Sequence, residues 1–213
     1  KELYLPKIVN GEITTALAVD ESSHHDPSKT SHTAEKKEDN YILNGKKTFV
    51  IDGASADILI VLTRTSGNSG ELAGLTLFII DSNADGINKI KLDMADSRNY
   101  ANINFDDVKC SNQDILGALE SGGETVESIL DIGRIAISAE MLGNAESAFE
   151  ATIEYLKQRK QFGVLIGTFQ ALQHRAAAMF CEIELTKSAV MAAVHGADER
   201  SNELQRLSSL AKT

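Results

Sequence analysis

The sequence predicts an α+β protein: an antiparallel β-barrel or sandwich domain, then an antiparallel helical bundle, read as an incomplete four-helix bundle. Three observations predict it. Up to residue 116, short β-rich runs alternate with turn residues. Beyond it, apolar residues recur at i, i+3 and i+4 over long stretches. A length of 213 residues with 42% hydrophobic content is enough for one large domain or two small ones, each with a packed core. The expected domains are 1–116, the β domain, and 117–213, the helical one.

The elements follow in order. Residues 13–19 are the first β-rich run. Residues 20–37 are polar and rich in Ser, His and Thr, and long for a hairpin loop. Such loops are usually functional or disordered. Residues 41–51 read as a hairpin, with Asn44-Gly45 supplying type I′ turn chemistry. Residues 58–64 follow, then a Gly/Ser-rich turn at 66–70. Residues 75–80 are almost wholly apolar, which predicts burial on both faces. Runs at 87–92 and 100–105 complete the set, at a spacing that suits a barrel or sandwich.

Gly122-Gly123 marks a helix start, and Val126, Ile129, Leu130, Gly133, Ile137, Met141 and Leu142 keep a helical period. The pattern runs through Phe149 and Leu156 to about 161, a helix longer than about ten turns. Thr168 is a good N-cap for a second helix, which carries His174 and His195, runs to about 194 and stops near Gly196. A third starts near Ser201. Long helices with short connections pack antiparallel. The sequence does not open with Met, and residues 204–213 read as an unfinished helix, so a fragment of a longer chain is expected.

Charge excludes some functions. A net charge of −10 argues against general nucleic-acid binding. Any anionic ligand must be met by local cations rather than by the global field. No apolar run approaches the roughly 18–20 residues that span a membrane, and no signal-peptide pattern opens the chain. Cys110 and Cys181 are too few and too far apart for a disulfide framework or zinc site, and read as thiols in a reducing, cytoplasmic compartment. His24, His25 and His32 cluster with Asp20, Glu21 and Asp26, but at no standard zinc spacing, so no metal is expected.

The stretch QRKQFGVLIGTFQALQH, residues 158–174, breaks the helical pattern around a Phe-Gly. Arg159 offers a planar fork for a diphosphate. Phe162 is placed to stack on a purine or pack on a neighbour. Gln170 lies in the first turn of the next helix, where free N–H groups favour anions. Two readings stand: a grip on a phosphate-bearing cofactor, or a solvated turn between helices.

Arg159-Lys160-Gln161-Phe162-Gly163 with Phe169-Gln170 resembles the R-x-x-F-G…FQ signature of acyl-CoA dehydrogenases. Other segments agree in order. Tyr4-Leu5-Pro6 and Gly11-Glu12 resemble the entry to that family's middle β-domain. Asp20-Glu21, Asp26 and Thr33-Ala34 resemble its T-E-P…G-S-D…T-A loop. The run from Tyr41 to Lys46 is similar to its V-L-N-G-x-K segment. Phe105-Asp106-Asp107-Val108 resembles its F-x-x-V strand, and Asp131 with Arg134 its D-x-x-R helix. The resemblance covers nearly the whole chain. It implies a middle β-barrel and most of three helices of a C-terminal four-helix bundle. It also implies FAD as cofactor, an acyl-CoA substrate oxidised across Cα–Cβ, and electron-transferring flavoprotein as partner. A homodimer, homotetramer or sister subunit is implied as well.

Carried over residue by residue, the resemblance puts Arg159, Gln161, Phe162 and Gln170 on the FAD of a neighbouring subunit. Asp131 and Arg134 fall at pantetheine-contacting positions; read from spacing alone they are an i, i+3 ion pair on a helix surface. The family's W-I-T/S tripeptide at the flavin ring reads Phe49-Val50-Ile51 here, with no hydroxyl at Ile51. The T-E-P position reads Asp20-Glu21-Ser22, which puts a carboxylate where the family has Thr. The G-S-D position reads His24-His25-Asp26, in a loop one residue shorter, and places His25 toward substrate. One subgroup's catalytic glutamate falls on Gly133, and the common alternative lies beyond Thr213, so no catalytic base is assigned. Residues 1–213 alone are expected not to turn over substrate. Two further readings remain: a non-catalytic partner subunit that completes a sister chain's FAD site, and a flavin oxidase of the same fold.

Overall fold

The computed structural model describes residues 2–213. The chain forms two compact units, one running to Val126 and one from Glu127 to Thr213.

In the first unit a short helix, α1 (Leu5–Val9), precedes β1 (Thr15–Ala18), β2 (Thr33–Lys37), β3 (Asn40–Val50), β4 (Ile58–Arg64), β5 (Leu75–Asp81), β6 (Ile87–Lys91), β7 (Ala101–Ser111) and β8 (Ile115–Leu116). They form one sheet in the order β6-β7-β3-β2-β4-β5-β8, with β1 beside β4. Two features correct the expected antiparallel barrel. The sheet is open, ending at β6 and β8. It is also mixed, because β1 and the start of β2 both run parallel to β4. These two strands lie end to end along one edge: β1 pairs with Ile58 to Val61, and Thr33 pairs with Arg64. The chain leaves that line after Ala18 and rejoins it at Thr33. The intervening segment is an outward excursion containing a 3₁₀ turn at Pro27–Lys29, and residues 33–37 belong to β2 rather than to a loop.

The hairpin expected at 41–51 is not formed. β3 is one strand of 11 residues paired along β7, and Asn44-Gly45 sits at a bulge. Asn44 Nδ2 donates to Asp107 Oδ1 (3.0 Å), and the Asp107 N–H donates to Asn44 Oδ1 (2.9 Å). The chain reverses earlier, at Glu38-Asp39, where Glu38 takes a φ of 55°. Tyr41 and Leu43 before the bulge, and Lys47 and Val50 after it, are all buried. Turning the chain at Asn44 would expose one of those sets, so burial at period two overrides local turn chemistry. The runs at 58–64, 75–80 and 87–92 form strands as expected. Leu75, Thr76, Leu77 and Phe78 are fully buried in β5. The core also takes Leu43, Leu59, Val61, Ile103 and Val108. Each large apolar side chain contributes roughly 1.5–3 kcal/mol on burial.

α2 (Gly122–Gln158) starts where expected. A Cβ on Gly122 would lie 2.8 Å from the Thr76 carbonyl carbon, and one on Gly123 would lie 2.4 Å from the Leu72 carbonyl oxygen. The two glycines therefore let the helix begin against the strand backbone.

In the second unit a hairpin follows α2, formed by β9 (Lys160–Gln161) and β10 (Val164–Leu165), then a 3₁₀ turn (Ile166–Thr168), α3 (Gln170–Asp198) and α4 (Leu204–Lys212). Thr168 is not the N-cap: its hydroxyl donates to the Leu165 carbonyl (2.7 Å), and Phe169 holds the cap position without a side-chain bond. Gly196 does not stop α3. A Cβ there would lie 2.7 Å from Leu207 Cδ1, so this glycine admits α4. Ile135, Val190, Ala193 and Ala211 form a small buried cluster. The three helices do not complete a four-helix arrangement among the described residues, and Ile132, Met141, Phe180, Leu185 and Met191 stay exposed.

Candidate functional site

The excursion between β1 and β2 is held by the half-buried Glu21 carboxylate. Glu21 Oε2 accepts from the Ser31 N–H (2.9 Å) and hydroxyl (2.6 Å). Its Oε1 accepts from the His32 N–H (3.0 Å) and Lys47 Nζ (2.8 Å). Lys47 is 0% exposed and also donates to the Val19 carbonyl (2.9 Å). Burial pushes the Glu21 carboxyl up, but the Lys47 charge and the hydrogen bonds from Lys47, Ser31 and His32 outweigh it, and the net shift is down. Burial pushes Lys47 down to about 8, against the pull of Glu21. His32 stacks edge-on against Phe105 at 4.7 Å, and neither ring nitrogen has a partner. Burial, with the Lys47 charge in the same direction and Glu21 opposing, holds it down to about 3, so it is a neutral imidazole.

A cleft of about 480 Å³ opens beside this network, lined in part by His24, Asp26, Lys29, His32, Lys46 and Ser69. Gly45 shapes it. A Cβ there would lie 3.0 Å from His32 Cδ2, so only glycine lets the strand approach the ring this closely.

Asp20 and His25 come together at the open end of the excursion. His25 Nδ1 lies 2.9 and 3.0 Å from the two Asp20 carboxylate oxygens. The Asp20 carboxylate thus faces an imidazole rather than standing alone. The Asp20 carbonyl accepts from the Thr48 N–H at 2.7 Å, which fastens this pair to the end of β3. There Phe49 takes a φ of 51° and is 50% exposed, next to a 54% exposed Ile51, while Val50 is turned into the core. The positive φ flips Phe49 outward, where its ring meets Tyr100 edge-on at 6.3 Å. The result is an exposed apolar patch beside a polar pair.

In the second unit the predicted residues are split between two places. Arg159, Gln161 and Phe162 share the hairpin after α2. With its amide oxygen toward Arg159, Gln161 accepts from Nε (3.2 Å) and Nη2 (2.6 Å). Phe162, at φ 52°, is 91% exposed, with Phe169 edge-on at 6.2 Å. Gln170 opens α3. Elsewhere on α2, Asp131 is buried, and its Oδ1 accepts from Arg134 Nη1 (2.7 Å) and the Ser208 hydroxyl (2.7 Å). Asp131 is therefore committed to packing α4 and orienting Arg134, whose side chain is 30% exposed.

Glu21, His32, Lys47 and Arg64 carry the architecture of the cleft; sequence reading met Glu21 and His32 only in a motif and in a cluster with no zinc spacing, and passed over Lys47 and Arg64. Lys47 had a signal: it shares inward parity with Tyr41 and Leu43, whereas Lys46 points out. Arg64 had none, because a strand-end arginine reads as solvated. No group of residues that could hold a metal occurs among the described residues. No described helix is long and apolar enough to cross a membrane.

Comparison with known proteins agrees with these observations. The family described as acyl-CoA dehydrogenase, middle domain, matches residues 16–108, and the acyl-CoA dehydrogenase C-terminal domain matches residues 120–213. The chain is 36% identical to 3-(aryl)acrylate reductase of Clostridium sporogenes, over 93% of this chain and 53% of that protein. It is 31% identical to the caffeyl-CoA reductase-Etf complex subunit CarC of Acetobacterium woodii, over 99% of this chain and 56% of that one. Butyryl-CoA dehydrogenase from Megasphaera elsdenii superposes with a TM-score of 0.86 at 32% identity, covering 99% of this chain and 56% of that structure. The chain thus spans about half the length of the relatives it matches. With both domain signatures in order, and one fold shared along almost its whole length, the chain belongs to the acyl-CoA dehydrogenase family.

Proposed function

We propose that this chain is part of a flavoprotein that oxidises the Cα–Cβ bond of an acyl-CoA thioester to the enoyl-CoA, with FAD as cofactor and electron-transferring flavoprotein as electron partner. The observation that carries the reading is the hairpin after α2. It sets a cationic fork, Arg159, beside the most exposed large hydrophobic residue of the described chain, Phe162. In a chain of net charge −10, such a local cation beside an aromatic face suits a dinucleotide of a neighbouring subunit. At the β unit, exposed Phe49 and Ile51 offer an apolar wall to a flavin ring, and Asp20 with His25 a polar edge. These residues fit the group in chemistry. When bound, FAD supplies the hydride acceptor. Arg134, oriented by Asp131, is proposed to meet the pantetheine arm. Lys29, Lys46 and His24 line the cleft that would take the phosphate-bearing end of CoA. The catalytic base is not assigned to any residue here. Two free thiols support a cytoplasmic setting.

The partner-subunit reading is favoured by one observation: Ile51 has no hydroxyl to offer the ring. Flavin counted per chain, from the visible spectrum of the full-length protein and again after denaturation, separates the two readings. One FAD per chain is expected for the enzyme. None, or half per chain in a mixed complex, would move the assignment to the partner subunit. Arg159→Ala is expected to lower flavin retention about tenfold, since it removes a charge-assisted bidentate donor. Retention equal to wild type would remove the hairpin from the site.

A further inference from the structure

Arg64 closes β4 and is buried, 8% exposed, with no salt bridge among the described residues. All of its donors go to main-chain carbonyls. Nε donates to Thr30 (2.9 Å). Nη1 donates to Ser66 (3.3 Å) and Ala73 (3.1 Å). Nη2 donates to Ser28 (2.9 Å) and Glu71 (2.8 Å). Ser28 and Thr30 belong to the excursion between β1 and β2, while Ser66, Glu71 and Ala73 belong to the loop between β4 and β5. The two segments also touch directly: the Gly70 N–H donates to the Ser28 carbonyl (2.9 Å), and the Ser69 hydroxyl to that of Lys29 (3.1 Å). Lys29, Thr30 and Ser31 from one segment and Ser69 from the other line the 480 Å³ cleft.

We propose that Arg64 is a positioning residue for this cleft: one rigid guanidinium fixes the distance between its two walls and thereby sets affinity for the ligand. The inference rests on the reading that the cleft receives the phosphate-bearing end of CoA. A guanidinium holds its five N–H groups in one plane at fixed angles, so the carbonyls it joins move as one body. A lysine keeps the charge but has three freely rotating donors, too few for five acceptors. Without the fork, among the described residues the walls are joined only by the Ser69 and Gly70 bonds, and ordering them is left to the ligand, which weakens binding.

The test uses the full-length protein, with free coenzyme A as the calorimetric probe and hydrogen exchange read on both segments. Arg64→Lys is expected to lower the unfolding midpoint while leaving the protein folded at assay temperature, to speed exchange in residues 28–30 and 66–73 together and more than in the strands of the sheet, and to weaken coenzyme A binding about tenfold. Faster exchange with unchanged affinity would overturn the positioning role. Should the variant not fold, the wild type decides: coenzyme A must slow exchange in both segments at once, and protection of neither overturns the proposal. Failure of the wild type to bind coenzyme A at all would instead overturn the acyl-CoA reading of the cleft, and the proposal with it.

Discussion

Lys47→Ala is expected to destabilise the β unit by ~3–5 kcal/mol, because it strands the Glu21 carboxylate in a site built for a counter-charge. Glu21→Ala is expected to cost a similar amount from the other side, leaving a fully buried ammonium with only the Val19 carbonyl. The double variant Glu21→Ala/Lys47→Ala should cost less than the sum of the two single changes, by about 0.5–3 kcal/mol. Denaturant unfolding of the four proteins completes the cycle. Simple additivity would show that the 2.8 Å contact carries no coupling. Lys47 also has a pH signature of definite sign. Its ammonium titrates at about 8 in the fold against an ordinary 10.5, so between those values the unfolded chain binds more protons. Its contribution to stability therefore rises as pH goes from 8 to 10.5, and is lost as pH falls back through 8.

Acid should unfold the β unit through His32 before most carboxylates titrate. The folded imidazole is held down to about 3, while the unfolded one titrates near 6.5. Below 6.5 the unfolded chain takes up a proton that the fold refuses. Stability present above pH 6.5 is then lost as pH falls toward 3, at ~1.4 kcal/mol per pH unit and about 5 kcal/mol in all. The window from pH 6.5 to 5 isolates this residue, since the carboxylates with depressed values, Glu21, Asp26, Asp52 and Asp57, give up their contributions below it. His32→Leu removes the titrating group and two unpartnered nitrogens, and is expected to flatten the slope in that window. Equal slopes for wild type and variant would show that the ring is solvated or partnered in solution.

Both predictions concern residues whose packing together sequence reading did not foresee, and the reason is physical. Turn chemistry at Asn44-Gly45 is a local preference, whereas the continuity of β3 is decided by which side chains the sheet buries on either side of the bulge. Thr168 and Gly196 carry strong local cap and stop signals, yet a 3₁₀ turn and the approach of Leu207 overrode them. The candidate site residues Asp20, His25 and Phe49 were named from their motif positions. Their pairing was not: Asp20 and His25 are five residues apart, and only the excursion's path folds one back on the other.

The sequence by itself determined the positions of most strands and of the long helices, and the family, because periodicity and ordered motifs are properties of neighbouring residues. Only the tertiary structure decided that the sheet is open and mixed, that Asp131 is buried against Ser208, and that Lys47 and Arg64, from behind the cleft, hold the segment whose Glu21 and Thr30 line it. Those outcomes depend on contacts between residues far apart in the chain, where a buried charge must find its partners in three dimensions.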